Sequence, residues 1–461
     1  MKHISIISKV GLCLLLLSCE DFVRIDDPKT QITAKDTFEN EATANAAIQG
    51  IYARMFNTGG IVSSMTRSNS LAADELTGYA VDTNLEFYNN ELTPVSTTVS
   101  GYWSEFYQYI YTANLIIESA PKSVSLRETT KRTLEGEAKF VRAFCYFYLV
   151  NLWGDVPLIT STDYQLSLSA SRNPATEVYS SITADLKSAI ELLPNDYSLS
   201  ANERLRPNKF AAMALLARVY LFQKDWGNAE LFASQVIDNT SLFNLEDDLN
   251  NVFLTTSQEA IWQLSSGLQS GTNTPDGEIF ILTGGTPTIA LSDYLLNSFE
   301  NGDNRESQWI ATYESDEITY YYPIKYKVKA GATTPPVSEY LMVLRLAELY
   351  LIRAEARASQ DKLQESISDI DQIRQRAGLP LVQITDPAIS KNDLLTLILT
   401  ERRSELFTEG GHRWLDLKRL GIADQVLSPI KANWQTTDAL YPIPQSEMDK
   451  ATNLRPQNSG Y

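Results

Sequence analysis

Histidine and cysteine are nearly missing from this chain: its 461 residues contain two histidines and three cysteines, and beyond residue 19 only His412 and Cys145 remain. A lone cysteine cannot close an intrachain disulfide. A lone histidine excludes a multi-histidine metal site and makes any Ser-His-Asp arrangement depend on His412. There is no glycine-rich loop of the nucleotide-binding type and no H-E-x-x-H pair. Long apolar runs are absent too: no segment has 18 uninterrupted apolar residues, which a spanning helix would need. Positive charge is in deficit, with 39 Lys and Arg against 57 Asp and Glu, a net charge of −18. Removing residues 1–18, whose only charges are Lys2 and Lys9, takes this to −20. Such a surface argues against nucleic acid or anionic lipid as the main partner, and a neutral ligand fits better.

The N-terminus does carry a targeting pattern. Lys2 and Lys9 precede a short apolar run from Val10 to Leu17, the layout of a signal peptide over residues 1–18. Its end, Leu16-Leu17-Ser18-Cys19, resembles a bacterial lipobox, in which the cysteine becomes the lipidated first residue. Residues 19–37 then read as a lipidated polar tether, and the lipid is the expected membrane anchor.

Helical periodicity dominates the chain beyond the tether. Phe38 to Phe56 is alanine-rich with apolar positions at helical spacing and closes at Gly59-Gly60. Ile61 to Ser100 reads mostly as loop, and within it LAADELTGYAVDTNLEFYNN is a candidate binding loop. Helices return over Gly101 to Ala120, Lys131 to Val150 and Val178 to Leu193. In Asn208 to Asp238, Ala217, Tyr220, Ala229, Ala233 and Val236 have the spacing of a tetratricopeptide (TPR) unit, which needs small residues where two helices cross closely. Leu341 to Arg376 repeats the scheme. The expected fold is mainly α, a superhelix of about four degenerate TPR helix pairs. Residues 38–238 form its first region, 239–340 a loop-rich insertion and 341–461 its C-terminal region.

The densest charge lies in ERRSELFTEGGHRWLDLKRL, Glu401 to Leu420. Glu401, Glu405 and Glu409 share one helix face at four-residue spacing, so they need cationic partners; Arg402, Arg403, Arg413 and Arg419 are the local candidates. The carboxylates could form an active site or a buried ion-pair network. Neighbouring arginines would lower their pKa values, the wrong direction for a general acid, which favours a structural network that also takes in Arg413 and Asp416. Glu348, Glu355, Arg345, Arg374 and Arg376 are expected to join it. No catalytic residue, metal ligand or cofactor site is assigned.

Several motifs carry a family resemblance. FVRAFCYFYLVNLWGDVPLI (Phe140 to Ile159), FENGDNRES (Phe299 to Ser307) before YPIKYK, RLAELYLIRAEA (Arg345 to Ala356), IRQRAGLP, the Glu401 stretch, YPIPQSEM and RPQNSGY occur in the order seen in the SusD/RagB family. The resemblance spans essentially the whole chain. It implies an outer-membrane lipoprotein of Bacteroidetes that binds a nutrient polymer, mostly a glycan, and sits as a lid on a SusC-like TonB-dependent transporter. Acidic Glu20 and Asp21 resemble the signal that sends such lipoproteins to the cell surface.

The family's shared motifs belong to its scaffold, so ligand residues must be sought among aromatics beside polar groups, since a pyranose stacks its C–H face on Trp or Tyr. Asp74, Tyr79, Tyr88 and Trp103 in the first region, and Trp309, Tyr313 and Tyr321 in the insertion, are the candidates; core packing competes with each. The expected function is capture of an oligosaccharide or polysaccharide and its delivery to the transporter. A peptide ligand and, in a different class, a secreted glycoside hydrolase are the alternatives.

Overall fold

The computed structural model describes residues 34–57, 59–79, 84–266, 272–329 and 336–461. The signal peptide, Cys19 and most of the tether lie outside the described residues.

A short helix, Ala34–Thr37, already lies within the stretch expected as tether, and the long helices begin with the alanine-rich stretch. Asn40 caps α1 (Glu41–Phe56) by accepting from the Thr43 N–H. The next element, α2 (Ile61–Ala72), corrects the sequence reading, which took this stretch as loop. Its five Ser and Thr residues weaken helix propensity only slightly, and nearly every side chain of α2 is buried, so packing decides. The remaining long helices are α3 (Thr97–Ser119), α4 (Glu128–Trp153), α5 (Ala175–Leu192), α6 (Lys209–Phe222), α7 (Trp226–Ile237), α8 (Leu346–Ser359), α9 (Leu363–Arg376), α10 (Lys391–Leu406) and α11 (His412–Arg419). From α3 to α9 each helix packs on the next, so that α1 with α3, α4 with α5, α6 with α7 and α8 with α9 form a mainly α, TPR-like stack of four pairs. The small residues of the repeat have their reason in this crossing. Ala217, Ala229 and Ala233 are fully buried between α6 and α7, while the Tyr220 ring stacks on Phe232.

The insertion carries most of the strands. β1 (Leu76–Gly78) pairs antiparallel with β3 (Ile289–Leu291), β2 (Ala260–Leu264) with β6 (Leu341–Arg345), and β4 (Ile310–Ser315) with β5 (Ile318–Pro323) as a hairpin. All five residues of β2 are buried, and Trp262 sits among Tyr52, Phe140 and Phe144. The C-terminal tail returns to the end of α4. Tyr441 N–H donates to Leu152 O at 2.8 Å, Trp153 Nε1 to Pro442 O at 2.9 Å and Asn458 Nδ2 to Trp153 O at 2.9 Å. The motifs NLWGDVP, YPIP and RPQNSG therefore form one joint.

Glu401, Glu405 and Glu409 face inward. Glu401 pairs with Arg305 (2.8 Å) and Arg374 (2.6 Å). Glu405 meets Arg345 (2.6 Å), Arg376 (2.5 Å) and Arg305 (3.3 Å). Glu409 meets Lys325 (2.5 Å) and Arg345 (2.7 Å). Every cation on this face comes from another segment. The local arginines turn elsewhere: Arg402 and Arg419 hold Asp416 (2.8 and 2.7 Å), Arg419 also holds Glu355 (2.6 Å), and Arg403 and Arg413 hold Asp74 (2.8 Å each). Glu348 lies apart from the Glu405 group and pairs with Arg218 of α6 at 2.6 Å. Burial would raise the Glu405 carboxyl, but Arg376, Arg345 and Arg305 outweigh it and hold it well below the carboxylate range. His412 is buried and held down to about 4, so it is neutral at pH 7. Between α10 and α11, Gly411 has φ +72°, and any side chain there would run into Asn69 of α2.

Glu405→Ala is expected to lower stability by about 3–5 kcal/mol, because it leaves three buried guanidinia without their shared carboxylate. Arg413→Ala, which strips Asp74 of one of its two arginines, should lower stability by a few kcal/mol. Urea unfolding of both variants checks this, and wild-type midpoints would remove the network as a stability determinant.

Candidate functional site

The seven residues singled out for ligand contact divide into two groups. Asp74, Trp103 and Trp309 are interior and do not form a binding surface. Asp74 is 4 % exposed and spends both carboxylate oxygens on Arg413 and Arg403. Trp103 packs edge-on against Trp153 at 5.4 Å and beside Tyr107. Trp309 is fully buried, donates its Nε1–H to Leu249 O at 3.0 Å and lies under Lys325 Nζ at 4.8 Å from the ring centroid. Its polar sequence context misled because the charged neighbour, Arg305, is itself buried in the Glu401 and Glu405 network.

Tyr79, Tyr88 and Tyr313 are brought together around Tyr320, although they come from two distant parts of the chain, whereas Tyr321 is set on the opposite face of the β4–β5 hairpin. The β1–β3 pairing runs on through Tyr79, whose N–H donates to Thr288 O at 2.9 Å. This sets the Tyr79 ring edge-on against Tyr320 of β5, with centroids 5.5 Å apart. Tyr313 lies directly across the hairpin from Tyr320, and its hydroxyl donates to Gly285 O at 3.1 Å. Tyr321, one residue on, faces the other side of the hairpin and is exposed. Tyr88 ends the short helix Leu85–Tyr88 and packs on Gly78, where even a methyl group would crowd its Cβ. Lys431 Nζ stands 4.0 Å from the Tyr88 centroid and donates to Leu71 O and Tyr88 O. Partial burial, with the neighbouring Tyr320 and Tyr88 phenols and the Asp293 carboxylate, raises the Tyr79 hydroxyl above its usual pKa. Tyr294, just after β3, is 52 % exposed. Nothing in LSDYLL singled it out in the sequence.

At the other end of the Leu85–Tyr88 helix, about 6 Å along its axis, a cleft of about 370 Å³ opens. Ser64 and Arg67 of α2, Asn84, and Thr98, Tyr102 and Glu105 of α3 line it. The Tyr102 hydroxyl is engaged with Ser68 Oγ at 2.7 Å. Burial raises the Glu105 carboxyl against the Tyr109 hydroxyl that donates to it. The volume is that of a small-ligand cleft. Its mixed donors and acceptors suit hydroxyl groups, and the tyrosines next to it offer ring faces. The cleft was not legible in the sequence, because α2 supplies part of its wall.

The comparisons with known proteins agree with one another. A SusD-like family model described as "Starch-binding associating with outer membrane" matches residues 26–221, and the SusD/RagB model, "SusD family", matches residues 297–461. The chain belongs to the SusD/RagB family. SusD-like protein P2 of Formosa agariphila is 28% identical over 511 residues, covering 99% of both chains. A SusD-like protein of Bacteroides ovatus is 26% identical over 419 residues, covering 77% of this chain and 72% of its own. Among solved structures, a SusD superfamily protein from Bacteroides vulgatus superposes with a TM-score of 0.81 at 23% identity, covering 92% of this chain and 99% of its own. A laminarin-binding SusD-like protein superposes with a TM-score of 0.77 at 25% identity, covering 92% of this chain and 100% of its own. SusD/RagB proteins are binding proteins associated with the outer membrane. Among the described residues no helix is long and apolar enough to cross a membrane.

Glu75, between Asp74 and β1, gives this region a pH signature. Its buried carboxyl is pushed up to about 7, mainly by burial, with Ser70 donating at 2.6 Å. In the folded chain it keeps its proton up to that value, whereas unfolded it ionises near 4.5. The unfolded state therefore binds fewer protons between these values, so Glu75's contribution to stability falls as pH rises from about 4.5 to 7. Thermal melts across this window should show that decline, and it should flatten in Glu75→Gln.

Proposed function

We propose that this SusD/RagB protein is a cell-surface glycan-binding lipoprotein, anchored through lipidated Cys19, that captures oligosaccharide from nutrient polymer and hands it to a SusC-like TonB-dependent transporter. It performs no chemistry of its own. The observation that carries this reading is the tyrosine surface of Tyr79, Tyr88 and Tyr313 beside a cleft with polar groups on its wall. Each stacked sugar ring gains on the order of 1 kcal/mol, and hydroxyl partners add orientation more than affinity. Weak single contacts suit a protein that must release its cargo. The acidic surface supports a neutral ligand over an anionic polymer. The laminarin-binding relative and the starch-binding description of the family model support a glycan.

A glycosidase needs two carboxyl groups flanking the scissile bond. Among the described residues the carboxyl group lining the cleft is that of Glu105, and it accepts from the Tyr109 hydroxyl. That favours binding over hydrolysis.

Titration of the purified mature protein against laminarin, starch and other glycans is expected to find a binder. Tyr79→Ala and Tyr313→Ala should each weaken that binding about fivefold while melting stays near wild type. Unchanged affinity in both variants would overturn the site. Loss of peptide binding with no glycan binding would favour the peptide reading, and product release from a polysaccharide would favour the hydrolase.

A further inference from the structure

A second aromatic group lies on the far side of Tyr88, on the C-terminal tail. Of the seven tryptophans, Trp103, Trp153, Trp262, Trp309 and Trp414 are buried, while Trp226 and Trp434 are partly exposed. Trp434 borders an open groove of about 580 Å³ whose other lining residues are Asp424, Ser428, Gln435, Thr436 and Thr437. Its indole is fixed from two sides. Trp414 packs edge-on against it at 6.0 Å, and its Nε1–H donates to Asp424 Oδ1 at 2.8 Å. The short 3₁₀ helix Thr436–Ala439 is held by a reciprocal cap between Gln435 and Asp438, so the groove wall is ordered as well. A held indole beside hydroxyls, a carboxamide and a carboxylate is the chemistry that receives a sugar ring: one apolar face to stack on, and donors and acceptors around the rim for its hydroxyls.

The groove also adjoins the tyrosine site. Trp434 N–H donates to Lys431 O at 3.1 Å, closing a turn whose ends lie within about 7 Å of each other. Lys431 is the residue that sits over Tyr88 and donates to its carbonyl. Asn433 Nδ2 donates to Glu91 Oε1 at 2.9 Å, so the same tail loop is fastened to the turn after Tyr88.

We infer that the Trp434 groove is a second glycan subsite, which stacks a further sugar ring of the same neutral polysaccharide chain that the tyrosine surface holds. The inference rests on the glycan reading above. Two weak sites on one frame, joined by one polymer, bind a long chain more tightly than a short one, because the second contact forms at high effective concentration.

The test uses the mature protein, laminarin and starch, and short oligosaccharides of each. Tryptophan fluorescence is expected to change on binding of the polysaccharide, with that change lost in Trp434→Phe. Trp434→Ala should weaken polysaccharide binding about fivefold to tenfold and leave the affinity for a two- or three-ring oligosaccharide at the tyrosine surface within twofold. Ser428→Tyr, an exposed position that fills the groove without touching the Trp414 contact, should reproduce the loss if Trp434→Ala fails to fold. Wild-type polysaccharide affinity in the folded groove variants would overturn the second subsite and leave the tyrosine site standing. Absence of glycan binding by the wild-type protein would overturn both.

Discussion

A buried carboxylate is tolerable only where cations surround it, and Glu405 has three. Arg305 comes from the insertion, Arg345 from the junction of β6 with α8, and Arg376 from the last turn of α9. An unpaired ion in this interior would cost several kcal/mol, so each of these segments has one acceptable position relative to α10. The helix stack uses the same device repeatedly. Arg142 of α4 grips Asp185 of α5 (2.8 Å), Arg218 of α6 grips Glu348 of α8 (2.6 Å), and Arg353 of α8 grips Asp369 of α9 (2.7 Å). Packing of alanine and leucine faces alone would allow neighbouring helices to slide by a turn. A two-point guanidinium–carboxylate contact does not, because it has both distance and plane to satisfy.

The tyrosine surface inherits its rigidity from these pairs. Asp74, locked by Arg403 and Arg413, precedes Tyr79 by five residues. Lys325 follows β5 by two residues and donates to the carbonyls of Glu405 and Phe407, where it caps the C-terminus of α10 and faces the rings of Phe407 and Trp309. β1 and β5 are therefore fastened within a few residues of Tyr79 and Tyr320. Binding on such a surface spends little on ordering loops, so contacts of about 1 kcal/mol each are not lost to entropy.

Much of the scaffold was legible in the sequence, and the reason is locality. Helix periodicity and the small-residue spacing of α6 and α7 are written within a few residues, and so is the excess of like charge on the Glu401 face that demanded outside cations. The partners of that face were not legible, because Arg305 and Lys325 lie 80 or more residues away and nothing in a local pattern points to them. The same blindness explains Asp74, whose arginines are over 300 residues distant, and Trp309, which turns inward with Asp303 and Arg305 while Asn304, Glu306 and Ser307 stay exposed. α2 was hidden for another reason: its serines and threonines look like loop, and only the surrounding core makes them helical. Trp434 and Tyr294 sit in stretches without periodicity, where exposure has no sequence signature.

The distribution of aromatic residues now has a physical logic. Tryptophans are concentrated inside, where large rings fill the joints between helices, and the outward rings are mostly tyrosines; at the candidate site Tyr313 ties its hydroxyl to a backbone carbonyl and Tyr79 sits among other phenols. A tyrosine face gains less from burial than an indole and keeps a polar edge in water. On the proposed reading, in which a neutral polymer is held and then given up, that choice limits the energy of any single ring contact. Affinity for a long chain then comes from the number of rings engaged, and each can be released separately as the chain is drawn away. A deep, tight pocket would reverse that order, with strong capture of a short fragment and slow release. The proposed tyrosine and Trp434 sites are shallow and separate, and the chain's large negative charge disfavours nucleic acid and anionic polymers, a combination that suits the first behaviour.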